Sequence, residues 1–301
     1  MKSLASIFAL VTVYCLVPVA SAAILSPPTI DTPLYACATT VSVSGFVPGA
    51  KIDILVGGTT RIGGGVSDSP WGQVFTVSPP LAAGQVLTAT QTFGTDTSDP
   101  SPVLTVTSYA EEHHGRLPQP IVSAPLYECG GALKVTNLAK GGLLQVFADG
   151  NPIGKVDGCG EGQWLRVTPV LANGQSVTAD EKHCGGTSAM SVAVPVGPMP
   201  ATLPALTIGE IYEGGKYCII DEITNGALVT AYNGGSVVDS GYYPGGRQVV
   251  RLTPPPHAGD TITATQALCS TMSPPSIGMT VQPCSSLPPP VLSPGIVKLL
   301  N

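Results

Sequence analysis

The chain reads as an all-β protein built from three tandem β-sandwich domains. Three observations predict this. One block of residues recurs three times with its landmarks in the same order. Val, Ile, Leu and Thr alternate with polar residues in short runs, the period of a half-buried strand. Gly, Pro and Asn turns separate those runs every ~8–12 residues, and no segment sustains a helical period.

The recurring block is clearest at Gly84-Gln85-Val86-Leu87-Thr88-Ala89. It returns as Gly174-Gln175-Ser176-Val177-Thr178-Ala179 and as Gly259-Asp260-Thr261-Ile262-Thr263-Ala264. Upstream of each copy lies a proline-marked turn, at Pro79-Pro80, Pro169-Val170 and Pro254-Pro255. A strand precedes each turn, GQVFTV from Gly72, QWLRVT from Gln163 and QVVRLT from Gln248. Earlier still come Leu34-Tyr35, Leu126-Tyr127 and Ile211-Tyr212, each leading into an alternating run. The turns Pro48-Gly49, Gly141-Gly142 and Asn225-Gly226 close those runs. Downstream, Ser98 to Ser101, Ser188 to Ser191 and Ser273 to Ser276 introduce a last short strand. A fixed-order repeat of this kind is the sequence signature of stacked, separately cored units. It predicts repeats over 24–110, 117–197 and 203–284, preceded by a leader over 1–22 and followed by a Pro-rich tail over 285–301.

This order of elements resembles the immunoglobulin-like repeats found in tandem in bacterial surface and secreted proteins. In those a Gly-rich hairpin precedes a G-x-W strand and then an L-x-x-G-x-x-x-T-A-T strand. The resemblance spans roughly residues 28 to 284 and implies an immunoglobulin-like sandwich with a structural or adhesive role. The Cys-Trp-Cys core of antibody domains is absent from the sequence. Trp71 and Trp164 are expected at corresponding places beside the fifth strand, each plugging one end of its own sandwich core.

The N-terminus sets the compartment. Lys2, the apolar run Leu4 to Val19 and the small residues Ala20-Ser21-Ala22 form a secretory leader, with cleavage expected after Ala22 or Ala23. The run holds Pro18 and is short for a spanning helix, so no transmembrane segment is expected after cleavage. The mature chain is expected to be secreted, extracellular or held at the cell surface. In such a compartment cysteines pair.

Beyond Cys15 the cysteines are Cys37, Cys129, Cys159, Cys184, Cys218, Cys269 and Cys284. Cys37 and Cys129 occupy one repeat position, and Cys184 and Cys269 another, at the end of the sixth strand. Those positions lie at opposite poles of a sandwich, about a strand length of ~17–20 Å apart, whereas a disulfide needs Cα atoms within about 7 Å. End-to-end stacking brings opposite poles of neighbouring repeats together, which pairs Cys37 with Cys184 and Cys129 with Cys269. Cys218 is then left to Cys284. The alternative keeps the bonds inside domains, Cys129 with Cys184 and Cys218 with Cys269, and needs a modest change of strand register. Both remain open at this point.

Other chemistry is sparse. With 13 Lys and Arg against 19 Asp and Glu, a net charge of −6 and no basic cluster, nucleic acid and anionic membrane are poor partners. Charged residues are 11% of the chain, so the surface is solvated by hydroxyls and backbone. No nucleophile elbow, zinc-protease helix, phosphate loop or calcium loop occurs. Glu111-Glu112-His113-His114 falls in the linker between the first two repeats, where consecutive residues of an extended segment point apart. It is expected to be solvated. His183 adjoins Cys184, whose thiolate a disulfide would remove. No catalytic residue, metal or cofactor is expected.

The function expected is that of a rod-like structural or adhesive protein, a rigid spacer and interaction surface for an extracellular protein or glycan. A carbohydrate- or protein-binding module is the first alternative, with Tyr242 and Tyr243 beside Pro244-Gly245-Gly246 as contacts. A non-catalytic part of a larger secreted enzyme is the second.

Overall fold

The computed structural model describes residues 25–157, 160 and 162–284. The leader, Cys159 and the tail lie outside them. The first unit comprises β1 (Thr29–Ile30), β2 (Thr40–Ser44), β3 (Lys51–Val56), β4 (Thr60–Val66), β5 (Gln73–Thr76), β6 (Val86–Phe93), β7 (Asp96–Thr97) and β8 (Leu104–Thr105). One sheet runs in the order β1-β2-β5. The other runs β4-β3-β6-β7, with β8 also on β6.

Alternation decides what each strand buries. Val41 and Val43 of β2, Ile52 and Ile54 of β3, and Leu87 and Ala89 of β6 are buried, while Ser42, Lys51 and Asp53 are not. A period of two puts those apolar side chains on one face of each sheet, and the two faces pack together as a sandwich.

The second and third units repeat the plan. In the second, Ala132–Thr136 pairs Gly162–Arg166 and Ile121–Val122, and Leu143–Ala148 lies between Asn151–Asp157 and Ser176–His183. In the third, Tyr217–Ile223 lies between Thr207–Ile208 and Gly246–Arg251, and Leu228–Asn233 between Ser236–Tyr242 and Thr261–Leu268. Each unit has its own core: Leu133, Val135, Leu144, Val146 and Val177 in the second, Ile220, Val229, Ala231 and Ile262 in the third. The chain is an all-β tandem of immunoglobulin-like sandwiches.

The serine pairs prove to be more than punctuation. Ser101, Ser191 and Ser276 each accept the backbone N–H of the sixth-strand alanine, Ala89, Ala179 or Ala264, at 2.9 Å. Their partners Ser98, Ser188 and Ser273 accept the N–H two residues further along the strand. The loop thereby satisfies buried sixth-strand amides where no strand pairs with them.

Two local expectations are corrected. The linker cluster is not extended: Tyr109–Glu112 forms one short helical turn, N-capped by Ser108, with Tyr109 buried and His113 stacked on it at 4.0 Å. Burial of Tyr109 between Tyr35 of the first unit and Ala139 of the second pins the linker in the joint. Nor do the tryptophans plug cores, since Trp71 is 58% and Trp164 41% exposed. They are not equivalent either. Gln73 and Gln163 match in register against the second strand, so Trp71 precedes that position and Trp164 follows it.

The shape is not the expected rod. In each unit we call the end where β2 (or its counterpart) begins the lower pole, and the end where β6 finishes the upper pole. The first unit's lower pole meets the second's upper pole, and the second's lower pole meets the third's upper pole, as stacking requires. The third unit's lower pole, however, returns to the first unit's upper pole. Asp68, between β4 and β5, lies 3.0 Å from Lys216 and 3.1 Å from Arg251. The three units close into a ring instead of a rod. Each junction is head-to-tail, lower pole to upper pole, and the third closes the ring through contacts of its own.

Candidate functional site

The joints hold the unusual residues. Cys37 and Cys184 are bonded across the first joint, and Cys129 and Cys269 across the second, with Cα atoms 5.3 Å apart in both. All four stand in left-handed backbone, with φ between 47° and 66°, at tight turns where the chain leaves or enters a strand. The structure thus brings together opposite poles of successive units and not cysteines of one unit. Cys218 and Cys284 do not meet. Cys218 points into the third core, 3% exposed, and burial pushes its thiol up to about 12. The Cys284 thiol is exposed and donates to the Glu213 carbonyl. The inward phase of the strand at Cys218 rules out a bond at the pole.

Backbone and side-chain contacts seal the two joints around the bonds. At the second, the Gly131 N–H donates to the Gly226 carbonyl at 2.9 Å and the Asn225 amide to the Pro125 carbonyl. At the first, Lys140 donates to the Thr32 carbonyl at 2.9 Å. The linkers fill the remaining space: Tyr109 and Leu117 pack with Tyr35 and Ala139, and Met199 and Leu203 with Ala227 and Leu268.

The first joint is also rich in ionisable groups. Tyr35 is raised to about 12 by burial, with a hydrogen bond to Glu112 adding to it. His183 is held below its ordinary value by burial, and its ring faces Tyr35 and Tyr109. Glu181 stands behind them. In the other units the matched position is Gln91 or Gln266, fully buried and doubly satisfied. The Gln91 carbonyl oxygen accepts from Val47 N–H while its amide donates to the Ser26 carbonyl. Gln266 does the same with Thr224 and Pro204. Glu181 keeps half of this, its Oε2 accepting from Ala139 N–H at 2.9 Å, but its Oε1 has no partner. Burial pushes its carboxyl up to about 7, the Ala139 bond opposing the rise.

Tyr242 and Tyr243 are not an open ligand platform. Tyr243 is 7% exposed in the third core, its hydroxyl donating to Asp239 at 2.9 Å, and burial raises its phenol. Tyr242 is partly buried with its ring against Gly131 of the second unit, so it is a joint residue. Among the described residues no three His, Cys, Asp or Glu side chains converge to hold a metal ion, and no helix is long and apolar enough to cross a membrane.

No protein-family model and no curated protein matches the chain. Among solved structures it is similar to the BSP domain of a biofilm associated protein, at 11% identity over 88% of this chain and 67% of that one, with a TM-score of 0.27. It is also similar to the central fibronectin-III array of RIM-binding protein, at 11% identity, 85% and 96% coverage and a TM-score of 0.22. A third is the Clostridium thermocellum CbhA fibronectin(III)-like modules, at 12% identity, 58% and 100% coverage and a TM-score of 0.23. It is the strand order, two facing sheets in each unit, that makes the chain a tandem of sandwiches.

Proposed function

We propose that this chain is an extracellular, non-catalytic scaffold with a structural or adhesive role, which presents the outer faces of three braced sandwiches to a protein or glycan partner. The observation that supports it best is the repetition of an inter-unit disulfide at one structural position, Cys37 to Cys184 and Cys129 to Cys269. Closing loops of 147 and 140 residues is worth about 5 kcal/mol each in the chain-entropy account, and oxidation of this kind belongs outside the cytosol. The bonds fix units to one another, which a scaffold needs. The closed arrangement replaces the extended spacer as the form of that scaffold.

The test pairs a non-reducing peptide map with binding of the mature chain to extracellular-matrix proteins and a glycan array. Both inter-unit bonds and saturable binding are expected. Substrate turnover abolished by a single substitution overturns the proposal. A ligand-binding module is the second reading, favoured by the half-exposed indole of Trp164. Loss of binding in Trp164→Ala with unchanged melting would place the contact there.

A further inference from the structure

The third joint differs from the other two in a consistent way. The third unit has Gly214 at the position of Cys37 and Cys129, and the first unit has Gly94 at the position of Cys184 and Cys269. The match is structural. Cys37, Cys129 and Gly214 each donate their N–H to the turn before the sixth strand, at Leu81, Leu171 and Pro256. Gly214 and Gly94 have φ of 72° and 62°, the left-handed backbone that the four cysteines share. Both halves of the bond are replaced together, and by the residue that such a backbone accepts most readily.

The apolar seal is reduced at the same place. Phe93 is 50% exposed, whereas His183 and Leu268, which end the sixth strands of the other units, are 7% and 1% exposed. Gly141 and Gly226 press directly on Ala38 and Gly130 of the neighbouring unit. A side chain built on the matched Gly49 would touch nothing nearer than Phe93 of its own unit.

Polar and aromatic contacts along one edge hold the joint. Asp68 accepts from Lys216 at 3.0 Å, from Arg251 at 3.1 Å and from the Tyr217 hydroxyl at 3.3 Å. The Lys216 bond, with the charge of Arg251, keeps the Asp68 carboxyl below its usual range. Trp71 meets the Tyr217 ring edge-on at 5.1 Å. The ion pairs are about half exposed on the basic side, so they are individually weak and open to screening by salt. Tethering through the two disulfide-bonded joints keeps their local concentration high enough for weak contacts to close the ring.

We propose that the third joint is a reversible clasp, closed by Asp68 on Lys216 and Arg251, which opens and shuts the ring as the other two joints hinge about their intact disulfides. Small-angle X-ray scattering of the mature chain, with its disulfides intact, tests this between about 0.01 M and about 1 M salt, where the screening length falls from about 30 Å to about 3 Å. The wild type is expected to be compact at low salt and to gain radius of gyration and maximum dimension at high salt. Asp68→Asn is expected to be expanded at both. The charge exchange Asp68→Lys with Lys216→Asp and Arg251→Asp is expected to restore the compact low-salt form, which separates the clasp from any folding defect. Scattering curves that are the same across salt and variants, or a wild type already expanded at low salt, overturn the proposal.

Discussion

Replacing Glu181 by glutamine is expected to stabilise the second unit, by an amount that grows with pH. The first and third units show why, because Gln91 and Gln266 fill the same buried site with both polar ends satisfied. Glu181 makes the accepting bond alone, and its carboxyl is raised from an ordinary 4.5 to about 7. The folded state therefore holds the proton more tightly than the unfolded chain. The stabilising contribution of that proton is complete below about pH 4.5, declines as pH rises, and is lost above about pH 7. The interval between the two values is worth at most about 3 kcal/mol. His183 works in the opposite sense, since its depressed value costs stability as pH falls below its ordinary 6.5. It is present in both proteins, so the difference between variant and wild type isolates Glu181. For a unit of this size about 3 kcal/mol corresponds to a melting shift on the order of 10–20 °C. Calorimetry of both proteins from pH 4.5 to pH 8 reads the shift directly. It should be small at the acid end and largest at the alkaline end. A variant-minus-wild-type difference that stays flat across this range refutes the reasoning.

Three further outcomes follow from the same structure. Ser101→Ala leaves the buried Ala89 N–H without the hydroxyl that accepts it, so the first unit should lose about 1–3 kcal/mol in denaturant unfolding, and Ser276→Ala should do the same in the third. Iodoacetamide should modify Cys284 quickly in the native protein, whereas Cys218, buried and with its thiol raised to about 12, should react only once the third unit unfolds; peptide mass spectrometry separates the two. Reduction of the inter-unit bonds should loosen the joints to limited proteolysis near Tyr109 and Met199 while leaving strand circular dichroism intact, because each sandwich keeps its own apolar core.

Much of the fold is legible without coordinates because it depends on short-range alternation. Val41 and Val43, Leu144 and Val146, Ile262 and Ala264 bury themselves wherever a period-two strand is given an apolar face, and threefold recurrence marks the unit boundaries. Even so, the serine pairs read only as landmarks in the sequence. Their role needs the distance from Ser101 to Ala89 N–H, which follows from how the loop crosses the strand. Tyr243 misleads for a similar reason. Its neighbours Pro244-Gly245-Gly246 indicate a loop, yet its ring falls inward and finds Asp239.

The sequence by itself determined the β class, the three cores and the equivalence of cysteine positions, since each of these is set by spacing along the chain. Tertiary structure alone decided that the units close into a ring. That outcome depends on the angle at which each unit meets the next, across joints where Tyr109 and Leu117, and Met199 and Leu203, pack between neighbouring units; spacing along the chain carries no such information. Only at that angle do Asp68 and Arg251, 183 residues apart, come within reach of each other.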